Sequence, residues 1–157
     1  MNPHSEGGCL CGVIRYRLSG DPLTLYACHC TDCQALSGGA FRLTMAVLRA
    51  DLELTRGEPE RFTYTLAGAA PRHATRCATC SVGLWAEPPR LPTVVLLRPG
   101  TLDERGWLRP VAHIWVRSAQ PWFRIPEDAL VFECQPPDDL ALVRAWKARA
   151  ATRKEDR

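Results

Sequence analysis

Seven of the eight cysteines in this chain are spaced as metal ligands. Cys9 and Cys11 form C-x-C inside Gly8-Cys9-Leu10-Cys11-Gly12. Cys28, Cys30 and Cys33 form C-x-C-x-x-C, and Cys77 and Cys80 form C-x-x-C. Zinc prefers four tetrahedral ligands and takes thiolates at about 2.3 Å. Two cysteines separated by one or two residues reach one ion if the backbone turns tightly between them, and glycines beside the first pair permit that turn. A structural site needs four ligands, so two pairs make one closed site and the triplet is left with three. Three protein ligands plus one open position is how catalytic zinc is held. The expectation is two zinc ions per chain, one closed and one open to chemistry.

Spacing alone leaves the pairing of the clusters open. Joining Cys9 and Cys11 to Cys77 and Cys80 is preferred, because it closes a loop of about 65 residues, a large entropic constraint on a small domain. The other pairing, with the triplet sharing ligands, leaves an odd thiol. A redox dithiol is a further reading of C-x-x-C, since that motif lowers a thiol pKa. Cys134, in Val131-Phe132-Glu133-Cys134, stands alone and reads as a buried free thiol in a strand. His29 lies between two expected ligands. Imidazole suits zinc, but thiolates on both sides already fill that role, so the plainer reading has the ring pointing away or hydrogen-bonded nearby.

The elements that must position these residues are short. The chain has 157 residues, 46% of them hydrophobic and 24% charged, which fits one soluble domain burying roughly two thirds of its unfolded surface. Thirteen prolines and eleven glycines divide it into pieces. Residues 13–18, 41–47 and 61–66 alternate apolar with polar, as half-buried strands do. Residues 93–97 form a continuous apolar run, and residues 112–116 and 129–132 complete the set. A helical turn is expected through Gln34-Ala35-Leu36 before Ser37-Gly38-Gly39 ends it. Pro136-Pro137-Asp138 is a helix start with Asp138 as N-cap, after which Leu140, Val143, Trp146 and Ala150 recur at helical spacing. The expected fold is mainly β and antiparallel, with a C-terminal helix over 138–151 and a frayed tail over 152–157. Short turns argue against a doubly wound sheet, which needs crossover helices.

Net charge is +3 and the basic residues are spread out, so no nucleic-acid partner is expected. No stretch has the length of a bilayer span, and residues 1–8 have neither a basic n-region nor an apolar h-region. A cytoplasmic location is the default. In that reducing compartment, tight cysteine spacing points to metal or catalysis rather than disulfides.

At these residues the chain resembles the glutathione-dependent formaldehyde-activating enzymes, a family that includes centromere-protein-V-type proteins and whose zinc-stapled antiparallel fold is the β-tent (Mss-four-like). The matching segments are Gly7-Gly8-Cys9-Leu10-Cys11-Gly12 leading into Ile14-Arg15-Tyr16, Cys28-His29-Cys30-Thr31-Asp32-Cys33 followed by Ser37-Gly38-Gly39-Ala40-Phe41, and Cys77-Ala78-Thr79-Cys80. His113-Ile114-Trp115 and Pro121-Trp122 match less specifically. The likeness spans roughly residues 6 to 136 and implies a single domain over 1–157. It implies a structural zinc on Cys9, Cys11, Cys77 and Cys80, and an active-site zinc on Cys28, Cys30 and Cys33. The implied activity is condensation of glutathione with formaldehyde, a carbon–sulfur lyase reaction in reverse.

Two positions depart from the family pattern. Ser81 stands where glycine is usual, and a left-handed conformation there costs serine roughly 1 kcal/mol. Arg76 stands where an aromatic residue is usual, which alters packing around the closed site. In the implied mechanism a thiol such as glutathione takes the open position, loses its proton and attacks the aldehyde, with proximity supplying most of the benefit. The two glutathione carboxylates call for cations, for which Arg42, Arg72, Arg76 and Arg117 are candidates, although exposed arginine is the common case. Phe41, His113, Trp115 and Trp122 are candidate pocket residues, with His113 and Trp115 on one strand face and His113 a possible acid or base. The competing reading is a non-catalytic module that binds a thiol, carries metal or docks a partner protein. A fourth ligand on the triplet, Cys134 or His29, would favour it.

Overall fold

The computed structural model describes residues 5–65, 71–138 and 140–155, with strands dominating and two α-helices among them. In chain order the elements are β1 (Ser5–Gly8), β2 (Arg15–Leu18), β3 (Thr24–Cys28), α1 (Thr31–Ser37), β4 (Arg42–Leu48), β5 (Leu52–Arg56) and β6 (Glu60–Tyr64). Then follow β7 (Arg72–Arg76), β8 (Gly83–Glu87), β9 (Val94–Leu97), β10 (Ala112–Ile114), β11 (Leu130–Phe132) and α2 (Leu140–Glu155). Single 3₁₀ turns occupy Arg49–Asp51, Pro99–Thr101 and Val116–Ser118. The chain divides into two compact units, each assembled from two separate segments. One joins Met1–Pro22 to Met45–Trp107; the other joins Leu23–Thr44 to Leu108–Arg157.

The first unit holds two antiparallel arrays. One runs β1-β2-β5, with Ser5 opposite Leu18 and Leu18 opposite Leu52. The other runs from the second half of β4 through β9, β8 and β7 to β6, with Met45 opposite Leu97 and Trp85 opposite both Thr75 and Leu97. Alternation along β2 explains the core: Tyr16 and Leu18 are buried while Arg15 and Arg17 lie outward among Glu6, Glu53 and Asp103. The buried Tyr16 hydroxyl meets Thr101 Oγ1 at 2.7 Å, so its polar tip is satisfied. A Cβ on Gly7 would collide with that hydroxyl, which fixes glycine there.

The second unit orders its strands β11-β10-β3 with the start of β4 next. Here the antiparallel expectation fails in part, since β10 is parallel to both β3 and β11. The long connections either side of β10 allow it, because a parallel pair cannot be joined by a hairpin. The C-terminal helix is present and starts where Asp138 accepts the Leu140 amide at 2.8 Å, as an N-cap should. It continues to Glu155, past the expected end at 151. Among its described side chains Leu142 and Trp146 are buried, and Thr24 Oγ1 donates to the Leu142 carbonyl at 3.0 Å. The expected turn after Cys33 is part of α1, which ends at left-handed Gly38. Leu66 of the expected strand over 61–66 lies outside the described residues. No described helix is long and apolar enough to cross a membrane.

Candidate functional site

Cys9, Cys11, Cys77 and Cys80 come together in the first unit, and their Sγ atoms all lie within 4.8 Å of one another. Two tight turns present them. After β1, the Gly12 amide donates to the Cys9 carbonyl at 3.0 Å and Gly12 adopts φ 75°, the left-handed freedom a glycine supplies. After β7, the Ser81 amide donates to the Cys77 carbonyl at 2.9 Å, and Ser81 itself is left-handed at φ 59°. Serine therefore does adopt the conformation for which the family uses glycine. Arg76, the other departure, does not enter the cluster. Its guanidinium lies 5.3 Å over the Phe62 ring and its Nε donates to Glu60 at 2.7 Å.

Cys28, Cys30 and Cys33 form the second cluster, in the second unit, again with every Sγ within 4.8 Å of the others. Cys28 ends β3, Cys30 caps α1 and Cys33 lies in its first turn; the Cys33 amide donates to Cys30 Sγ at 3.4 Å. Among the described residues no fourth histidine, cysteine, aspartate or glutamate joins the triplet. Cys134 stays outside it and is half-buried beyond the end of β11, rather than buried within a strand.

Both clusters have the donor chemistry of a soft-cation site. A tetrahedral ion with ligands at about 2.3 Å needs sulfurs about 3.8 Å apart. Cys9 and Cys11 are 3.5 Å apart, Cys11 and Cys77 3.7 Å, and Cys28 and Cys30 3.6 Å. Amides already aim at the sulfurs, with Ile14 donating to Cys9 Sγ at 3.2 Å. The Val82 amide leads in pulling the Cys80 thiol down to about 6. Cys11 is pushed up to about 12: the Val13 amide favours its thiolate, but desolvation and the neighbouring sulfurs outweigh it. Cys28 is raised by its hydrogen bond with Cys33 and then by burial. Sulfurs this crowded share protons unless a cation neutralises them, so both groups could hold metal ions.

His29 is fully buried, and its Nε2 lies 2.8 Å from His113 Nδ1. Successive side chains of an extended segment point to opposite sides, which turns this ring away from its cysteine neighbours. Phe41 and Phe123 flank it, each with a ring centroid 5.3 Å away. Burial pushes His113 down to about 4, with His29 adding to the effect, so the pair is neutral near pH 7. The expected strand over 112–116 stops at Ile114, because Trp115 turns left-handed at φ 59°. That is a rare state for a bulky residue, costing about 1–3 kcal/mol. His113 and Trp115 accordingly do not line one strand face. Trp122 is 68% exposed, whereas Arg42, expected at the surface, is buried.

Sequence reasoning missed Gln34 and Phe123. Gln34 follows Cys33 and spends its whole side-chain amide locally. Its Nε2 donates to the His29 carbonyl at 2.7 Å and to the Ser118 carbonyl at 2.8 Å, while its Oε1 accepts from Gln120 at 2.8 Å. Partners some 85 positions away leave no mark in local spacing.

With this geometry in view, three comparisons bear on identity. The sequence pattern of the glutathione-dependent formaldehyde-activating enzyme family matches residues 4–118. A Halomonas elongata protein, provisionally named as a glutathione-dependent formaldehyde-activating enzyme, is 27% identical over 153 residues, covering 92% of this chain and 94% of that protein. The crystal structure of a Rhodobacter sphaeroides protein matches 81% of this chain and 98% of its own at a TM-score of 0.51; at 14% identity that is a likeness of fold alone.

Proposed function

The chain belongs to the family of glutathione-dependent formaldehyde-activating enzymes, and from that membership we propose a zinc enzyme that joins a thiol such as glutathione to formaldehyde or a related aldehyde. One zinc would be held by Cys9, Cys11, Cys77 and Cys80 and serve the fold. The second would be held by Cys28, Cys30 and Cys33 and serve the reaction. The observation that carries this reading is the convergence of three sulfurs with no fourth ligand among the described residues.

Held by Cys28, Cys30 and Cys33, zinc would supply an exchangeable position and favour the thiolate form of a bound thiol near neutral pH. The rest is the work of the chain. Gln34 ties the Cys33 helix to the His29 and Ser118 carbonyls, so the three sulfurs are held before any ligand arrives. Phe41 and Phe123 pack on the His29–His113 imidazole pair, behind the backbone that carries Cys28 and Cys30, and shield that pair from water. In the reaction a sulfur–carbon bond forms, the carbonyl π bond breaks, and the proton that leaves sulfur ends on the new hydroxyl. Run in reverse, this is a carbon–sulfur lyase step. A single domain over 1–157 and a cytoplasmic setting rich in reduced thiols complete the reading.

Elemental analysis of reduced protein, paired with NMR detection of S-hydroxymethylglutathione, tests it. About two zinc per chain with catalysed adduct formation is the expected outcome. About one zinc and no turnover would leave the non-catalytic module in its place.

A further inference from the structure

We propose that Gln34 is the positioning residue that aims Cys30 at its two partner sulfurs, so that the three-cysteine cluster retains a zinc ion only while the Gln34 side-chain amide is in place. The proposal rests on the zinc reading above and adds to it a residue that is not a ligand.

Of the three cysteines, Cys30 is the one that regular structure does not hold. Cys28 ends β3, in register with Ile114, and Cys33 lies inside α1. Cys30 falls between strand and helix, at φ −61° and ψ 151°. The three sulfurs meet on one ion only if those two angles keep the Cys30 Cα–Cβ bond pointed at the other two.

Gln34 takes hold of both peptide units that set these angles. Its backbone amide donates to the Cys30 carbonyl at 3.0 Å, and its side-chain Nε2 donates to the His29 carbonyl at 2.7 Å. Those carbonyls belong to the peptide units on either side of the Cys30 Cα. Each unit is a rigid plane, so fixing both leaves φ and ψ of Cys30 little freedom. The backbone bond is the ordinary one of a first helical turn, open to any residue but proline. The side-chain bond is what glutamine adds.

That side chain is itself braced. Nε2 also donates to the Ser118 carbonyl at 2.8 Å, and Oε1 accepts from Gln120 Nε2 at 2.8 Å. Two carbonyls demand donors, so the amide has one orientation. The Gln34 backbone carbonyl accepts from the Gly38 amide at 2.9 Å as α1 closes. Backbone and side chain are therefore engaged together, and the grip on the His29 carbonyl is referred to Ser118, 84 positions away.

The experiment uses reduced full-length protein, titrated with zinc against a chromophoric chelator. Gln34→Met keeps the length of the side chain and removes its polar atoms. The zinc equivalent bound by the three-cysteine cluster should then bind about 10–100-fold more weakly, the usual cost of losing a partner behind the ligands. The equivalent on the four-cysteine cluster, identified by its survival in Cys30→Ala, should stay within about twofold. Gln34→Glu should behave like Gln34→Met, because a carboxylate cannot donate to either carbonyl. Gln120→Met leaves both carbonyl bonds and should cost less than about threefold. In metal-free protein, the Cys33 and Gln34 backbone amides should exchange with solvent at least about tenfold faster in Gln34→Met, followed by NMR. Equal zinc binding in wild type and Gln34→Met overturns the proposal. So do equal losses in Gln34→Met and Gln120→Met, the mark of a general loosening. A wild type that binds a single zinc sinks the zinc reading instead; faster exchange in metal-free Gln34→Met would still uphold the aiming of Cys30, and unchanged exchange would overturn it.

Discussion

The two cysteine clusters use the same atoms but draw them from very different spans of chain. The four-cysteine cluster draws on two turns, and Cys11 meets Cys77 across 66 positions of chain. The three-cysteine cluster comes from one short stretch, residues 28–33, at the end of β3 and the start of α1. An ion in the first site closes a long loop, so its binding energy becomes folding energy. An ion in the second site closes almost nothing, so its binding energy is left for ligand exchange. On the proposed reading, separation along the chain, as much as the missing fourth sulfur, divides the structural site from the reactive one.

The sharpest way to break that contrast is to remove one ligand from each cluster. Cys77→Ala leaves three sulfurs around the stapling position and should lower stability by more than about 4 kcal/mol, read as collapse of the thermal unfolding transition. Cys30→Ala should release one zinc per chain and lower adduct formation at least about 100-fold, while unfolding shifts by less than about 2 kcal/mol. Equal thermal losses in both variants would erase the distinction.

A smaller effect sharpens the comparison through pH. His113 is buried against His29, and its pKa falls from 6.5 to about 4. Between those values the unfolded chain binds a proton that the folded chain refuses. Stability should therefore drop as pH falls from 6.5 to 4, by on the order of 2–3 kcal/mol, and be insensitive to this group above 6.5. Chemical denaturation across that range, with His113→Gln as the variant that flattens the slope, measures it. The smallest effect belongs to the stapling site. Ser81→Gly relieves a left-handed serine and should stabilise by about 0.5–1 kcal/mol. No change in melting temperature would mean the turn tolerates serine without strain.

Metal spacing is legible in sequence because ligands must be neighbours on tight turns, so the groups of four and three could be read from Cys9 to Cys80. The strand at 94–97 was legible because it is continuously apolar. β1, β5 and β7 were not, since Ser5–Gly8, Leu52–Arg56 and Arg72–Arg76 are short and mostly polar. The surroundings of the three-cysteine cluster were hidden for another reason. The His29–His113 contact and the Gln34 network join residues 84 to 86 positions apart, and no period or local motif encodes such pairs.

The interleaving of the two units bears on biosynthesis. All of the first unit lies within Met1–Trp107, whereas the second must wait for Leu108–Arg157. A growing chain exposes Cys77 and Cys80 to metal while β10, β11 and α2 are still unmade. Capture of an ion by the four-cysteine cluster is therefore possible during translation, and segment Leu23–Thr44, carrying Cys28, Cys30 and Cys33, must remain unfinished until the end of the chain arrives. On the proposed reading, a shortage of zinc at that moment would weaken the scaffold before residues 28–33 had their partners.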